Sequence, residues 1–250
     1  MRVFYFFNPG NIDVAQNEFG ILEAILGKRR IKISRISKVN DPLDFQPSFS
    51  ESTHKNFING FRRKWAEIDG KLGIISFSTD IFNILMWSHY AVRHKGSALE
   101  LELDEKLLSR VNYSLIAPEV VHTKTSRHDS YYQIAINSII RTKAIDWAYE
   151  KEWRLILNYA KDKNIQEERD DNGEVVRYFS LPDGSIKSIF LGLRCTLERE
   201  QLESKIKEWG LEKTAIYKME QDRTGYSLSC PKYEKYRSVQ QFVNSIRKKQ

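Results

Sequence analysis

The chain has 250 residues, of which 41% are apolar, 29% charged and 12% aromatic, with a formal net charge of +7. This balance excludes an intrinsically disordered chain and suits an ordered α+β protein, one large domain or two smaller ones, able to bury a core. With no stretch of about eighteen apolar residues, no membrane-spanning segment is expected. Cys195 and Cys230 stand in no metal-ligand or dithiol spacing, which points to free thiols in a reducing compartment. The opening MRVFYFFNPGN lacks the layout of a signal peptide, so a cytoplasmic protein is expected.

Residues 3–7 predict an aromatic strand stopped by Asn8-Pro9-Gly10, and residues 17–27 a helix with Phe19, Leu22, Ile25 and Leu26 at helical spacing. Residues 30–36 alternate basic and apolar side chains as a strand does. Asn40-Asp41-Pro42 then signals a turn, followed by a polar loop through Ser52. Phe57, Phe61, Trp65 and Ile68 predict a helix over 57–68, and residues 72–77 a compact strand. Ser78-Thr79-Asp80 reads as the start of a helix carrying LMWSHYAVRHKG, with Met86, Tyr90 and His94 on one side and Gly96 as its exit.

ALELEL, within residues 97–103, predicts a strand whose carboxylates point away from its apolar face. Residues 113–118 read as strand or extended turn and 131–145 as predominantly helix. The segment 147–157 passes from that helix into a strand. Asp171-Asn172-Gly173 marks a hairpin turn with a returning strand at 175–179, expected to pair with 153–157. A strand at 186–191, a helix at 197–209, a strand at 214–219 and a short terminal helix at 239–246 complete the chain. The expected organisation is one α+β domain over 1–225, with a split, mostly antiparallel sheet flanked by helices, and a basic C-terminal extension over 226–250 packed on or beside it.

Basic clusters at Lys28-Arg29-Arg30, Arg62-Arg63-Lys64 and Arg247-Lys248-Lys249 are suited to DNA, RNA or another anionic partner if they converge, and otherwise form a scattered solvated surface. In an extended segment Glu150, Glu152 and Arg154 share one face. Such a row lines a cleft or an exposed sheet face, the exposed face being expected for at least one of the glutamates; in a cleft, two carboxylates serve acid–base chemistry, metal binding or the orientation of sugar hydroxyls. Trp87 and Tyr90 can pack on a planar ring, Trp87 being the better core residue, while His89 can titrate near neutrality or bond a ribose. Ser88 and His89 adjacent on a helix point apart, which argues against a serine nucleophile.

The block Asn40-Asp41-Pro42-Leu43-Asp44, the run Phe77-Ser78 followed by Met86-Trp87-Ser88-His89-Tyr90-Ala91 and His94-Lys95-Gly96, and Lys143 followed by Trp147, Tyr149, Glu150, Glu152, Trp153 and Arg154 resemble the bacterial domain of unknown function 2971 family. More distantly, a serine-bearing strand before an aromatic helix and a later glutamate at a strand start resemble ADP-ribosyltransferase-like folds. That resemblance implies NAD held in a split sheet, with catalytic roles for Glu152, Glu150 and His89. It implies cofactor contacts by Tyr90, Ser76, Ser88, His94 and Arg154, with Tyr90 stacking on nicotinamide and Glu152 engaging its ribose. The implied activity is transfer of ADP-ribose to a protein or nucleic-acid acceptor, in bacterial toxin or phage-defence chemistry. The alternatives are a nonenzymatic nucleic-acid or protein-binding component of a defence or stress system, and a metal-dependent nuclease in which Asp41 or Asp80 joins the glutamates.

Overall fold

Short apolar runs cut by turns give many brief strands and few long helices in the computed structural model, which describes residues 1–7, 20–121, 128–223 and 225–233. The strands are β1 (Arg2–Phe7), β2 (Arg30–Lys32), β3 (Ser34–Arg35), β4 (Leu72–Ser78), β5 (Ser97–Glu102), β6 (Leu108–Arg110), β7 (Asn112–Ser114), β8 (Thr142–Ala144), β9 (Glu152–Asn158), β10 (Ile165–Arg169), β11 (Val175–Ser180), β12 (Ile186–Leu191), β13 (Ala215–Lys218), β14 (Glu220–Gln221) and β15 (Leu228–Ser229). The helices are α1 (Gly20–Leu22), continued by a π turn over Glu23–Gly27, α2 (Lys55–Asp69), α3 (Ile84–Tyr90), α4 (His128–Ile140) and α5 (Arg199–Glu208). The Asn8-Pro9-Gly10 turn, residues 17–19 of the first expected helix, the terminal helix over 239–246 and the Arg247-Lys248-Lys249 cluster lie outside the described residues. The fold class is α+β, with helices beside several sheets.

Chain contacts gather these elements into two units. The first contains Met1, Arg30–Thr79 and Leu103–Leu181. Its main sheet is antiparallel: β3 pairs β4, β4 pairs β9 and β9 pairs β6. Strand β9 is bonded by β4 along one edge and by β6 over residues 153–155 of the other, not by residues 175–179; the expected pairing of those two segments is corrected. Instead β11 lies between β10 and β2 in a separate antiparallel sheet. The helix expected over 131–145 ends at Ile140, because Asn112 N donates to Arg141 O at 2.7 Å and the next residues form β8 in parallel with β7.

Helix α2 starts where His54 Nδ1 accepts from Asn56 N. Its residues Phe57, Phe61, Trp65 and Ile68 recur at helical spacing and pack into a core with Ile36, Phe45, Ile74, Val120, Ile136 and Ile139. Phe61, 1% exposed, stacks on Trp65 and Tyr132. Truncating such a ring to Ala costs about 3–5 kcal/mol.

The second unit contains Arg2–Arg29, Asp80–Glu102 and Pro182–Gln250. In its sheet β1 and β12 flank β5 antiparallel, and β13 joins β12 in parallel after the crossover through α5. Trp87, Leu99, Leu101, Ile189 and Phe190 are buried in its core. The expectation that the ALELEL carboxylates face outward is corrected for Glu100, which is fully buried. Packing covers both faces of this strand. Glu100 accepts from Ser188 Oγ and Tyr233 OH, each at 2.7 Å, and from Arg2 Nη1 at 3.1 Å.

The helix expected after Ser78-Thr79-Asp80 starts later and is shorter. Ser78 ends β4, Asp80 Oδ1 accepts from Phe82 N in a turn, and Asn83 caps α3 by accepting from Leu85 N and Met86 N. Beyond Tyr90 the backbone reverses through Val92, Arg93 and His94, all with φ between 46° and 68°. His94 therefore does not share a helical face with Met86 and Tyr90. Gly96 follows because a Cβ there would lie 2.5 Å from Phe7 O. Among the described residues no helix is long and apolar enough to cross a membrane.

Candidate functional site

Five ionisable side chains meet in the interior of the first unit: Asp44, Lys143, Glu150, Glu152 and Arg154, each at most 8% exposed. Local backbone geometry brings them together. Lys143 sits on β8; a 3₁₀ turn over Ile145–Glu150 returns the chain, and Lys151, at φ 47°, is left-handed and starts β9 immediately afterwards. Glu152 and Arg154 then point to the same side of β9 by the two-residue period of a strand. Glu150 enters from the turn rather than from the strand.

Arg154 organises one half of the cluster. Its Nε donates to Glu152 Oε1 at 2.7 Å and its Nη2 to Glu152 Oε2 at 3.2 Å and Asp44 Oδ2 at 2.7 Å, while Nη1 donates to Ile140 O at 2.7 Å. The guanidinium also lies over the Phe45 ring, 4.4 Å from its centroid. Lys143 organises the other half: its Nζ is 2.6 Å from Glu150 Oε2, 3.3 Å from Glu152 Oε2 and 3.9 Å from Asp44 Oδ2, and 4.8 Å from the Trp147 ring centroid. The three carboxylates thus converge on an ammonium group. Among the described residues no set of three or more His, Cys, Asp or Glu side chains is placed to hold a metal ion.

Burial would raise the Glu152 pKa, but the Arg154 guanidinium, with help from Lys143 and Ser76, outweighs it and holds the group at about 2. Asp44 goes the other way: burial raises its carboxyl against the pull of Arg154 and Lys143. Arg154 is held further up by Glu152 and Asp44 against the opposing effect of burial. Glu152 N donates to Tyr113 OH at 2.8 Å, and burial pushes the Tyr113 phenol up to about 12, so it stays neutral. Ser78 Oγ closes the back of the cluster by donating to Glu150 O at 2.7 Å. Ser76, an exposed residue of β4, adds a smaller share to the lowering of the Glu152 carboxyl.

The sequence-predicted residues Glu150, Glu152, Arg154 and Ser76 therefore share one site in the first unit. The alternative of an exposed sheet face does not describe these glutamates, both 3% exposed. Asp44, Lys143 and Tyr113 were not among the candidate site residues. Asp44 and Lys143 stand in the blocks that carry the family resemblance, which is the available signal; Tyr113 has none.

The other candidates belong to α3 and its exit in the second unit. His89 is exposed, and its ring meets the half-buried Tyr90 edge-on at 6.3 Å. Ser88 Oγ lies 3.2 Å from His94 Nε2, and the His94 ring stacks on Trp87 at 6.5 Å. Burial and the nearby Arg194 charge lower the His94 pKa, favouring the neutral imidazole. Trp87 is fully buried, the core role expected for it.

Residues 86–155 match the family described as Protein of unknown function (DUF2971). The matched stretch runs from α3 to β9 and includes Lys143, Glu150, Glu152 and Arg154, but not Asp44 or Ser76. No curated protein and no solved structure matches the chain.

Proposed function

We propose that the chain transfers ADP-ribose from NAD to a nucleophile on a protein or nucleic-acid acceptor, on an ADP-ribosyltransferase-like arrangement of strands, in toxin or phage-defence chemistry. The observation that carries this reading is Glu152. It opens β9 opposite Ser78 of the serine-bearing strand β4, and its carboxylate is held ionised, with a share from the exposed Ser76. In the proposed reaction the ribose–nicotinamide bond breaks with its electron pair leaving on nicotinamide. The acceptor's lone pair forms the new bond to ribose, and the acceptor's proton passes to solvent. Positive charge builds on the ribose meanwhile, and a fixed carboxylate stabilises it.

The resting geometry sets a condition on that role. The Glu152 oxygens are engaged by Arg154 and Lys143, and the 3.3 Å contact with Lys143 is the longest of these. Lys143 turning wholly to Glu150, already 2.6 Å away, leaves Oε2 with the 3.2 Å bond from Arg154 Nη2 and a second lone pair for a ribose hydroxyl. Arg154 is then an organiser of Glu152 and Asp44. The cofactor roles of Tyr90, Ser88, His89 and His94, all in the second unit, rest on the resemblance and not on this cluster, and each is tested by its own substitution.

The test is incubation of the chain with isotopically labelled NAD and separate pools of protein, DNA and RNA, following transferred label and free nicotinamide. Glu152→Gln is expected to abolish nicotinamide release. Because that change touches a buried ion pair, Ser76→Ala, at an exposed position, is the companion variant and should slow release with its thermal stability intact. Undiminished release by both folded variants would overturn the reading.

A further inference from the structure

The first unit also holds a cavity of about 640 Å3 lined by Lys32, Arg35, Lys38, Tyr159, Glu174 and Arg177, among others. Its cations differ sharply from a neighbour in sequence. Arg30, on the same strand segment, is 4% exposed, clasped by Glu168 and stacked over Tyr178. Lys32, Arg35 and Lys38 are exposed, and among the described residues no carboxylate forms an ion pair with any of them. Cations left unpaired around a concavity concentrate positive potential there.

These cations are presented from fixed backbone. Ile33 N donates to Arg177 O at 2.8 Å, after which β3 pairs with β4, so the chain crosses from one sheet to the other beside the cavity. The following 3₁₀ turn, Ile36–Lys38, is held by Asp69, whose oxygens accept from Ser37 N and Ser37 Oγ at 2.8 Å each. On the facing strand the Arg177 guanidinium lies 4.1 Å from the Tyr159 ring centroid and donates to Glu167 at 2.6 Å. Of the two acidic residues in the lining, Asp170 is committed to its hairpin, accepting from Asn172 N and Glu174 N.

We infer that this cavity binds the sugar–phosphate backbone of a single-stranded nucleic acid. At about 3.3 Å per extended residue, Lys32 and Arg35 leave the backbone roughly 10 Å apart, with Lys38 a further turn away. Successive phosphates of a strand engage all three cations at once, and competition with pyrophosphate separates this from capture of a single phosphate group. The volume suits a nucleotide unit and is too confined for a duplex. Proteins that track single strands without reading bases combine a cationic groove with aromatic platforms; here the groove is cationic, and Tyr159, with Arg177 over one ring face, is the aromatic in its lining. The inference is independent of the proposed transferase activity.

The test is fluorescence anisotropy of a labelled single strand of about 12 nucleotides, titrated with the full chain over a KCl series. Each phosphate engaged contributes about 0.7 to the slope of log affinity against log salt. Lys32→Gln/Arg35→Gln/Lys38→Gln is expected to lower the slope by about 2 and the affinity at least about tenfold. Arg62→Gln/Arg63→Gln/Lys64→Gln, on α2, should change both less. Equal affinity and slope for the cavity variant and the wild type would overturn the inference. So would a duplex binding as tightly as the strand, or displacement of the strand by NAD or pyrophosphate as efficiently as by unlabelled strand.

Discussion

Arg154 turns back along its own strand to grip Glu152 two residues earlier, with Nε 2.7 Å from Oε1 and Nη2 3.2 Å from Oε2. A fork between such close neighbours needs a planar guanidinium, because one ammonium cannot serve both oxygens, Asp44 and the Ile140 carbonyl together. Arg154→Lys should therefore destabilise the chain by about 3–5 kcal/mol despite keeping the charge. Urea unfolding measures this; a loss below about 1 kcal/mol would show that the fork is dispensable.

Removing Lys143 leaves three carboxylates with Arg154 as their remaining counterion in the cluster. Lys143→Met should cost on the order of 3 kcal/mol in stability and raise the pH at which the cluster takes up its first proton. Calorimetry at pH 7 and pH 5 reads both effects, since the variant should lose less relative stability at the lower pH. Equal destabilisation at the two values would contradict the account.

Glu152 carries a definite acid dependence. Its folded pKa of about 2 lies below the ordinary 4.5, so its contribution is full above about pH 4.5 and fades as pH falls toward 2. Asp44, raised by burial, contributes in the opposite direction: protonating it relieves the folded state as acid is added. Carboxyl-carbon NMR titration should separate the two, with the Glu152 midpoint well below 4. A midpoint at 4 or higher would mean that Arg154 does not dominate its environment.

A Cβ at Gly192 would lie 2.3 Å from His94 O and 2.8 Å from Gly96 O, and both contacts are rigid backbone. Gly192→Ala should therefore lower the melting temperature by several degrees and weaken the bond from Gly192 N to Gly96 O. Gly60→Ala, where nothing lies within 4 Å of the added atom, should be neutral or stabilising as a helix substitution. Similar effects of the two changes on melting would rule out the clash as the cause.

Tyr233→Phe removes a hydrogen bond to the buried Glu100 carboxylate while keeping the ring against Phe190 and Tyr217. The expected loss is about 1.5–3 kcal/mol, the range for bonds to charged partners. A change of a few tenths in urea unfolding would show that Ser188 and Arg2 suffice for Glu100.

The long signals were readable from residue order. The apolar runs of β1, β4 and β12 and the helical spacing of α2 appear where expected, as does the period that places Glu152 beside Arg154. What escaped was short or distant. Strands β6 and β8 are three residues each, too brief for a periodic signal, and they form because neighbouring chain is there to bond them; β7, equally short, overlaps only the start of the 113–118 segment expected as strand or extended turn. Asp44 lies 110 residues before Arg154, so nothing local announces their contact. The alternation in β5 correctly indicated a strand but misplaced Glu100, because side-chain period says which residues share a face and not whether that face is later covered.

The left-handed reversal at Val92, Arg93 and His94 sets the phase of everything that follows it. It delivers Ser97 opposite Phe7 and Leu191, and from that starting point Glu100 falls where Ser188 and Tyr233 meet it. Adding or deleting one residue between Ala91 and Gly96 would move β5 half a pleat period. Leucines 99 and 101 would exchange faces with Glu100, leaving an anion where hydrocarbon packs and hydrocarbon where an anion is bound. The length of this loop, more than its composition, is therefore the parameter that changes in the chain can least afford to alter.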